Sequence, residues 1–325
     1  MYTPPELRSF FLDYMQQHNF QFSPKELFEP VDYILQLGGK RLRPILLLMS
    51  HNLYQAKIDA ALPAAYSYEI FHNFSLVHDD IMDEAPLRRG KPTIHQKYDI
   101  NTGILSGDVM LIYAYRYLLE VPDKNLVPEL MSLFSKVASE VCIGQQYDMN
   151  FETSTTVTIA AYLQMIEYKT ASLIAGALQT GTILAGAPAA DRHHIYEFGR
   201  NLGIAFQLQD DILDTYGNAA TFGKRIGGDI VQNKKTYLVL KAMQLANNTQ
   251  KQVLEELLSS YPKDETAKIA AVVAIFDALD IKSIASRKKD GYHQKAIEHL
   301  ALVKVAEERK IHLKEIAKEL LERMK

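Results

Sequence analysis

The 325-residue chain contains a single cysteine, Cys142. One thiol cannot close an internal disulfide, and it cannot supply the ligand set of a cysteine-based zinc site. The sequence therefore excludes a disulfide-stabilised fold, and we expect a reducing, cytoplasmic location. The opening segment MYTPPELRSFFLDYMQQ mixes charged and apolar residues, so we expect no signal peptide there.

Long apolar runs and an excess of one charge are also missing. The longest apolar stretches, such as Ile45 to Met49, fall far short of the roughly 20 residues that a membrane-spanning helix needs. Lysine and arginine total 36 and aspartate and glutamate total 39, giving a net charge of −3. Such a balance provides no overall attraction to nucleic acid. We therefore expect neither a nucleic-acid partner nor an integral membrane segment, and any basic site must be local.

Helical periodicity covers most of the chain, and β-type alternation is scarce. Ser23 to Glu26 predicts a capping box with Pro24 at the first helical position, Gly38-Gly39 predicts the end of that helix, and Pro44 predicts the start of the next. No stretch rich in proline, glycine or serine divides the sequence, so we predict one all-α domain over residues 1–325. Further helices are predicted over residues 61–84, 107–119, 126–150, 158–185 and 192–216, and a loop over residues 87–93.

Two acidic clusters with the same spacing lie within apolar helical segments, at Asp79–Asp83 and Asp210–Asp214. Carboxylates four residues apart share one face of a helix, where their repulsion costs about 0.2–0.5 kcal/mol. An ordinary solvated acidic face would not need apolar neighbours such as Phe74 and Leu208. Carboxylates in such surroundings need a cation. Mg²⁺ suits a few oxygen ligands because it keeps waters and binds substrate phosphates, so the clusters predict Mg²⁺ sites that hold a diphosphate.

Basic residues accompany both clusters. Arginine binds phosphate oxygens through paired N–H groups, and lysine acts as a point charge. One such pair alone would be typical of an ordinary surface, but their repetition beside acidic clusters predicts a metal-bridged diphosphate and a second anion site. The residues are Lys40, Arg41 and Arg43 before the first cluster, Arg88 and Arg89 after it, and Lys224, Arg225, Lys234 and Lys235 after the second.

Seven motifs follow one another in a fixed order. They are GGKRLRP at 38–44, HNFSLVHDDIMD at 72–83, LRRGKPT at 87–93, GQQYD at 144–148, KTASL at 169–173, FQLQDDILD at 206–214 and FGKRIGGDIVQNKKT at 222–236. This ordered set resembles the trans-isoprenyl diphosphate synthases, which include farnesyl and geranylgeranyl diphosphate synthases. The resemblance runs from about residue 27 to 237 and more loosely to the C-terminus. It implies an isoprenoid-synthase-like bundle of antiparallel helices around a central cavity, with the aspartate motifs facing each other across its mouth.

The resemblance implies a role for each matching residue. The implied Mg²⁺ ligands are Asp79, Asp83 and Asp210, with Asp214 supporting them. The implied ligands of the allylic diphosphate are Arg88, Lys169, Lys224 and Lys234, and those of isopentenyl diphosphate are Lys40, Arg43, His72 and Arg89. The implied reacting centre is lined by Lys169, Thr170 and Gln207. Structural alternatives remain open for three of these residues: His72 could be a core histidine, Thr170 could bond to its own helix, and Gln207 could satisfy a buried polar group.

The implied reaction is a condensation. The allylic diphosphate ionises, the double bond of isopentenyl diphosphate attacks the carbocation, and proton loss leaves a product longer by one C5 unit. The sequence shows no obvious strong base, so the released diphosphate is the expected proton acceptor. The family also implies a homodimer.

Product length is expected to depend on the helical turn below Asp79. Phe74 and Ser75 lie five and four residues before that aspartate, which places them beneath it on a helix. By the family pattern, one aromatic at the first of these positions predicts a C20 product, with C15 as the next expectation. The alternatives are a long-chain polyprenyl synthase and a subunit of a heteromeric synthase, and Phe74 could also be core packing alone.

Overall fold

A computed structural model describes residues 1–217, 226–259 and 264–321, and over these residues the protein is almost entirely helical. The first helices are α1 (Pro4–Gln17), α2 (Lys25–Gln36), α3 (Leu42–Asn52), α4 (Leu62–Met82), α5 (Ile94–Lys97) and α6 (Ile100–Leu119). The next are α7 (Val127–Thr153), α8 (Ile159–Ile166), α9 (Ser172–Leu184) and α10 (Ala189–Tyr216). The last are α11 (Gly228–Val231), α12 (Tyr237–Leu245), α13 (Asn248–Leu257), α14 (Glu265–Ala278), α15 (Ile281–Leu302) and α16 (Glu307–Leu321). Short 3₁₀ turns occur at Asp59–Ala61 and Lys124–Leu126.

Most predicted helices match observed ones, but several predicted helix starts are displaced. α3 begins at Leu42 rather than Pro44, and α10 begins at Ala189 rather than at residue 192. α2 begins at Lys25, and Pro24 occupies the preceding cap position without a side-chain hydrogen bond. Proline has no side-chain oxygen to accept from the first N–H groups of the helix, so the predicted capping box does not form. The helix predicted from Gly107 begins earlier, at Ile100, because the side chain of Asp99 accepts a hydrogen bond from the N–H of Thr102 at 2.8 Å and caps it there.

The predicted loop over residues 87–93 contains a short antiparallel ladder between β1 (Leu87–Arg88) and β2 (Lys91–Pro92). The two turn residues, Arg89 and Gly90, have φ values of 53° and 75°. Positive φ at both central positions is what a two-residue hairpin turn of type I′ requires. The hairpin therefore places Arg89 at its tip.

One long helix changes its hydrogen-bond pattern part-way along. α8 leads directly into a π-helical segment, Glu167–Ala171, which leads directly into α9. π-Helical turns are rare and frequently occur at functional sites. This segment carries Lys169 and Thr170, two of the predicted reacting-centre residues.

The fold divides into two compact units. Unit 1 comprises Met1–Ala138, Leu173–Tyr196 and Leu302–Leu313; unit 2 comprises Ser139–Ser172, Glu197–Ala301 and Lys314–Lys325. The boundaries fall inside helices, so the chain has no linker at these points. The single domain over residues 1–325 stays a prediction.

In unit 1, α4 and α6 pack against each other through glycines. A Cβ atom on Gly103 would lie 2.8 Å from the Ile81 side chain, and one on Gly107 would lie 2.2 Å from the His78 ring. A larger residue at either position would require the Ile81 or His78 side chain to move. In unit 2, a buried apolar cluster includes Ile204, Leu208 and Ile212. Their spacing of four residues fixes which face of α10 is turned inward.

No helix in the three described ranges is both long enough and apolar enough to cross a bilayer.

His51 of α3 gives unit 1 a pH-dependent stability. Its side chain is buried, its Nδ1 has no hydrogen-bond partner among the described residues, and burial lowers its pKa to about 4. The unfolded chain binds a proton at this histidine below about pH 6.5, whereas the folded chain does not. Stability is therefore lost as the pH falls from about 6.5 towards 4, and the loss at pH 5 is about 2 kcal/mol.

Urea unfolding of the wild type and His51→Gln at pH 7.5 and pH 5 measures this contribution. The wild type should lose about 2 kcal/mol more than the variant between the two pH values. Equal losses in both proteins would contradict the assignment to His51.

Candidate active site

The first aspartate cluster lies at the C-terminal end of α4. The helix ends at Met82, and the N–H of Asp83 still donates to the carbonyl of Asp79 at 2.8 Å. The helical turn therefore extends through the cluster and keeps Asp79 and Asp83 on one face. Asp79 is half-buried and Asp83 is exposed, whereas Asp80 is only 2% exposed. The two predicted metal ligands are accessible, and the middle carboxylate is turned inward.

Asp80 holds an arginine of the hairpin. The Nε of Arg88 donates to both carboxylate oxygens of Asp80, each 3.1 Å away, and the Nη2 donates to one of them. Burial raises the pKa of Asp80, and the hydrogen bond and charge of Arg88 oppose this. The predicted contact of Arg88 with the allylic diphosphate stays a prediction, and in this structure Arg88 is oriented by Asp80.

Three predicted ligands of isopentenyl diphosphate lie close together in unit 1. The guanidinium of Arg43 lies 3.1 Å from Nε2 of His72. A guanidinium has no acceptor, so Nε2 must accept and the neutral imidazole carries its proton on Nδ1. Arg89 donates to the carbonyl of Gly38, in the loop that leads into α3, where Arg43 lies. A Cβ atom on Gly39, whose φ is 116°, would lie 2.8 Å from the guanidinium carbon of Arg89, so this approach requires glycine.

Positive charge is concentrated around His72. Burial lowers the pKa of His72 well below its usual value, and Arg43, Arg89, Arg88 and Arg41 lower it further. Burial also lowers the pKa of Arg43 to about 10, and Arg89 adds to that shift. Neighbouring cations repel one another, and a bound anion relieves that repulsion. The arrangement is therefore suited to a diphosphate, and Lys40 is exposed in the same loop.

The predicted chain-length residues lie on α4. Phe74 is 8% exposed, and its ring packs against those of Phe71 and His78 at centroid distances of 5.4 and 4.8 Å. Ser75 is half-buried and donates to the carbonyl of His72 at 2.8 Å. Their role in product length stays a prediction.

Unit 2 contains an open cleft of about 630 Å³, counted with the space at its mouth. The structure brings four predicted residues together in its lining: Lys169, Thr170, Gln207 and Lys234. Lys224 lies outside the described residues. Other polar residues of the lining, among them several that the sequence did not single out, are Asp148, Glu152, Tyr162, Asp211, Asp229, Lys235 and Thr236.

Hydrogen bonds connect the cleft residues in a chain that runs from Thr170 through Gln207 to Asp211. Thr170 donates to Oε1 of Gln207 at 3.1 Å, and Nε2 of Gln207 donates to Asp211 at 3.2 Å. Thr170 therefore bonds to α10 rather than to its own helix, and Gln207 does serve a buried polar group. The hydroxyl of Tyr162 donates to the second oxygen of Asp211. Lys169 pairs with Asp148 at 2.5 Å.

The second aspartate cluster separates into residues with different surroundings. Asp210 is half-buried, whereas Asp211 and Asp214 are 4% and 8% exposed. Burial raises the pKa of Asp211 well above its usual value, and the charge of Asp229 raises it further. Asp214 accepts from the N–H of Asp229 at 3.0 Å, so it holds the first turn of α11. This contact agrees with a supporting role for Asp214.

Lys235, the second of two adjacent lysines in the last motif, contacts the end of a helix. Lys235 donates to the carbonyls of Phe151 and Glu152, at 2.7 and 3.1 Å, in the last turn of α7. A cation there satisfies carbonyls that lack helical partners. Lys235 therefore anchors this segment to α7, and the role of Lys234 as a substrate ligand stays a prediction.

The donors fit a metal that arrives with its substrate. Within the described parts of the chain, no three Asp, Glu, His or Cys side chains are grouped so as to hold a metal ion. Mg²⁺ is commonly bound through one or two carboxylates, several waters and substrate phosphates. Asp79 and Asp83, paired in unit 1, fit that kind of site, and Asp210 fits it separately in unit 2.

A family model described as polyprenyl synthetase matches residues 24–276. The chain belongs to the polyprenyl synthetase family. It is 44% identical to a geranylgeranyl pyrophosphate synthase of known crystal structure, with a TM-score of 0.95 and all of both chains covered. It is 37% identical over 273 residues to the geranylfarnesyl diphosphate synthase of Natronomonas pharaonis, covering 78% of each chain. It also resembles the polyprenyl synthase of Caulobacter crescentus CB15, solved with calcium and isoprenyl diphosphate (25% identity, TM-score 0.86, 99% and 94% coverage).

These matches confirm three predictions made from the sequence. The family is the predicted one, the fold is the all-α fold of prenyl synthases, and this polyprenyl synthetase is a prenyltransferase.

Proposed function

We propose that this polyprenyl synthetase adds isopentenyl diphosphate to allylic diphosphates and makes mainly geranylgeranyl diphosphate, C20. The observation that carries the proposal is the group of arginines around a neutral His72 in unit 1. A cyclase, which uses one diphosphate substrate, needs no second anion site besides its metal-bound diphosphate. A second site of concentrated positive charge supports a reaction between two diphosphates. The family further supports a homodimer, and the single cysteine supports a cytoplasmic location.

Asp79 and Asp83 in unit 1 would hold Mg²⁺, and Asp210 in unit 2 would hold another. Bound Mg²⁺ would supply Lewis-acid stabilisation of the departing diphosphate. Bound calcium in the similar polyprenyl synthase of Caulobacter crescentus CB15 supports a divalent cation. Arg88, Lys169, Lys224 and Lys234 add positive charge for the same group. Fixed charges favour the transition state, in which negative charge builds on the leaving oxygen. Ion pairs with Asp80 and Asp148 hold Arg88 and Lys169 in place.

The remaining steps use the other residues of the two units. Lys40, Arg43, His72 and Arg89 hold the diphosphate of isopentenyl diphosphate. When the allylic C–O bond breaks, the double bond of isopentenyl diphosphate attacks the carbocation and forms a C–C bond. The hydroxyl of Thr170 and the amide of Gln207 steady the cation through their dipoles. A proton then leaves to the released diphosphate, and the new double bond completes an allylic product longer by one C5 unit.

The product assay tests this proposal. Purified protein is incubated with Mg²⁺, isopentenyl diphosphate and farnesyl diphosphate, and the products are identified by chromatography. A C20 diphosphate is expected. Accumulation of C15 from shorter primers without C20 would overturn the product assignment, and C25 or longer chains would favour the geranylfarnesyl or long-chain alternative. Activity only in the presence of a second chain would support the heteromeric alternative.

Phe74→Ala should lengthen the product. We propose that its ring forms the floor below Asp79, so its removal leaves space for at least one more C5 unit. Phe28→Ala is a matched control, because Phe28 in α2 of unit 1 is 7% exposed and Phe74 is 8% exposed. Both variants should be destabilised by about 3–5 kcal/mol, but chain length should change only in Phe74→Ala. An unchanged product distribution would remove Phe74 as the floor.

A further inference from the structure

A buried ion pair lies beneath the arginine-rich region of unit 1. Arg41 pairs with Glu69, and their side chains are only 3% and 2% exposed. Arg41 also donates to the carbonyl of Leu35, near the end of α2. It adopts a φ of 53°, a left-handed conformation that non-glycine residues rarely adopt. Buried ion pairs add little net stability, since apolar residues of similar size often replace them without loss. A contribution to stability therefore does not explain why this ion pair is buried here.

The position of the pair suggests that explanation. Arg41 lies two residues before Arg43, and Glu69 lies one helical turn before His72. The ion pair thus joins the same two segments, the GGKRLRP loop and α4, whose side chains meet in the contact between Arg43 and His72.

The carboxylate of Glu69 is itself held in place. The side-chain amide of Asn73 donates to Oε1 of Glu69 at 3.0 Å and to the carbonyl of Glu69 at 2.8 Å. Asn73 is completely buried. The network leaves Glu69 little freedom to move, and a rigid carboxylate sets the position of the guanidinium that it binds.

We propose that Arg41 and Glu69 are positioning residues of the isopentenyl diphosphate site, which set the distance between the GGKRLRP loop and His72. Because both side chains are buried, the proposal gives neither residue a contact with the substrate. The inference rests on the proposed function, because it assigns a substrate to this site.

The charge of Glu69 alone would act in the opposite direction. Glu69 raises the pKa of both Arg43 and Arg89, which means that it stabilises their protonated forms and reduces the positive potential around them. If Glu69 acted only through its charge, Glu69→Gln would strengthen diphosphate binding. If it acts by positioning, the same substitution weakens binding. The sign of the change therefore separates the two roles.

The experiment compares Glu69→Gln with the wild type in steady-state kinetics and in calorimetric titration with isopentenyl diphosphate. The variant should raise KM and Kd for isopentenyl diphosphate by about tenfold or more, since displacement of a binding group by a fraction of an ångström is costly. The KM for the allylic substrate should change less than about twofold. A general structural defect would not produce that difference between the substrates.

Asp191→Asn is the matched control in unit 1. Asp191 is 1% exposed and accepts hydrogen bonds from Tyr54 at 2.8 Å and from the N–H of Lys304 at 3.1 Å. Like Glu69→Gln, it converts a buried carboxylate into an amide of the same shape. It should lower stability and leave both KM values near those of the wild type.

The double variant Arg41→Met with Glu69→Leu tests the geometry even if Glu69→Gln fails to fold. Apolar residues of similar size should keep the unit folded, but they lack the directional contacts of the pair. The weak binding of isopentenyl diphosphate should therefore remain. Wild-type affinity in the double variant would overturn the proposal, as would tighter or unchanged binding in Glu69→Gln, or an equal rise in both KM values.

Failure of the proposed function has a different outcome. A wild-type protein that neither binds isopentenyl diphosphate nor forms any longer product would contradict the function itself. An active wild type with an unaffected Glu69→Gln variant would contradict only the positioning role.

Discussion

Replacing Asp79 with asparagine should lower kcat about a thousandfold, which corresponds to about 4 kcal/mol of transition-state stabilisation. The amide keeps the shape of the carboxylate but loses the negative charge that holds Mg²⁺. The same substitution removes a like-charge neighbour of Asp83 on the final turn of α4. Relief of that repulsion should stabilise the helix by about 0.2–0.5 kcal/mol. Activity should therefore fall while stability rises slightly. This is typical of functional residues, which are retained for activity although they reduce stability.

Two measurements check this expectation. Incorporation of labelled isopentenyl diphosphate at increasing Mg²⁺ concentrations gives kcat, and urea unfolding gives stability. Glu84→Gln is the matched control, because Glu84 is an exposed acidic residue directly after the cluster. The control should stay within about twofold of the wild type. A comparable loss of activity in the control, or a marked destabilisation of Asp79→Asn, would argue against a metal-ligand role for Asp79.

The spacing of the aspartates was readable from the sequence because helical periodicity is a local property. Four residues between Asp79 and Asp83 place them on one face of any helix, whatever packs around it. The sequence could not show that Asp80 is turned inward and holds Arg88, since this depends on where α4 ends and how the hairpin folds back. The clusters were nevertheless predicted as metal sites, because carboxylates that share a helix face among apolar neighbours need a cation.

The contacts within unit 2 join residues far apart in the chain, so they could not be predicted from the sequence. Tyr162 and Asp211 are 49 residues apart and form a hydrogen bond that no local sequence pattern predicts. Lys234 and Lys235 are adjacent and chemically identical, so the sequence could not show that Lys235 donates to the last carbonyls of α7. A serine before Pro24 looked like a cap, but the helix begins one residue later than the capping pattern requires. Motifs thus predicted which residues take part, while loop conformation decides what each one touches.

The π-helical segment leads to the second large expected effect. A Cβ atom on Gly144 of α7 would lie 2.3 Å from the backbone nitrogen of Lys169 and 2.7 Å from its Cα. These are backbone atoms, so Gly144→Ala can be accommodated only by a shift of the segment that carries Lys169 and Thr170. We expect kcat to fall about a hundredfold and stability to fall by about 1–3 kcal/mol. Steady-state kinetics and urea unfolding measure both quantities.

Gly291→Ala separates the effect of packing from that of helix propensity. Gly291 lies within α15, and a Cβ atom there would meet nothing within 4 Å. Alanine should therefore stabilise that helix by about 0.5–1 kcal/mol, with kcat unchanged. Gly203→Ala should act like Gly144→Ala, because its Cβ atom would lie 2.5 Å from the Cα of Ala171, the last residue of the π-helical segment. If both closely packed glycines tolerate alanine with full turnover, the backbone position of Lys169 and Thr170 does not control the rate.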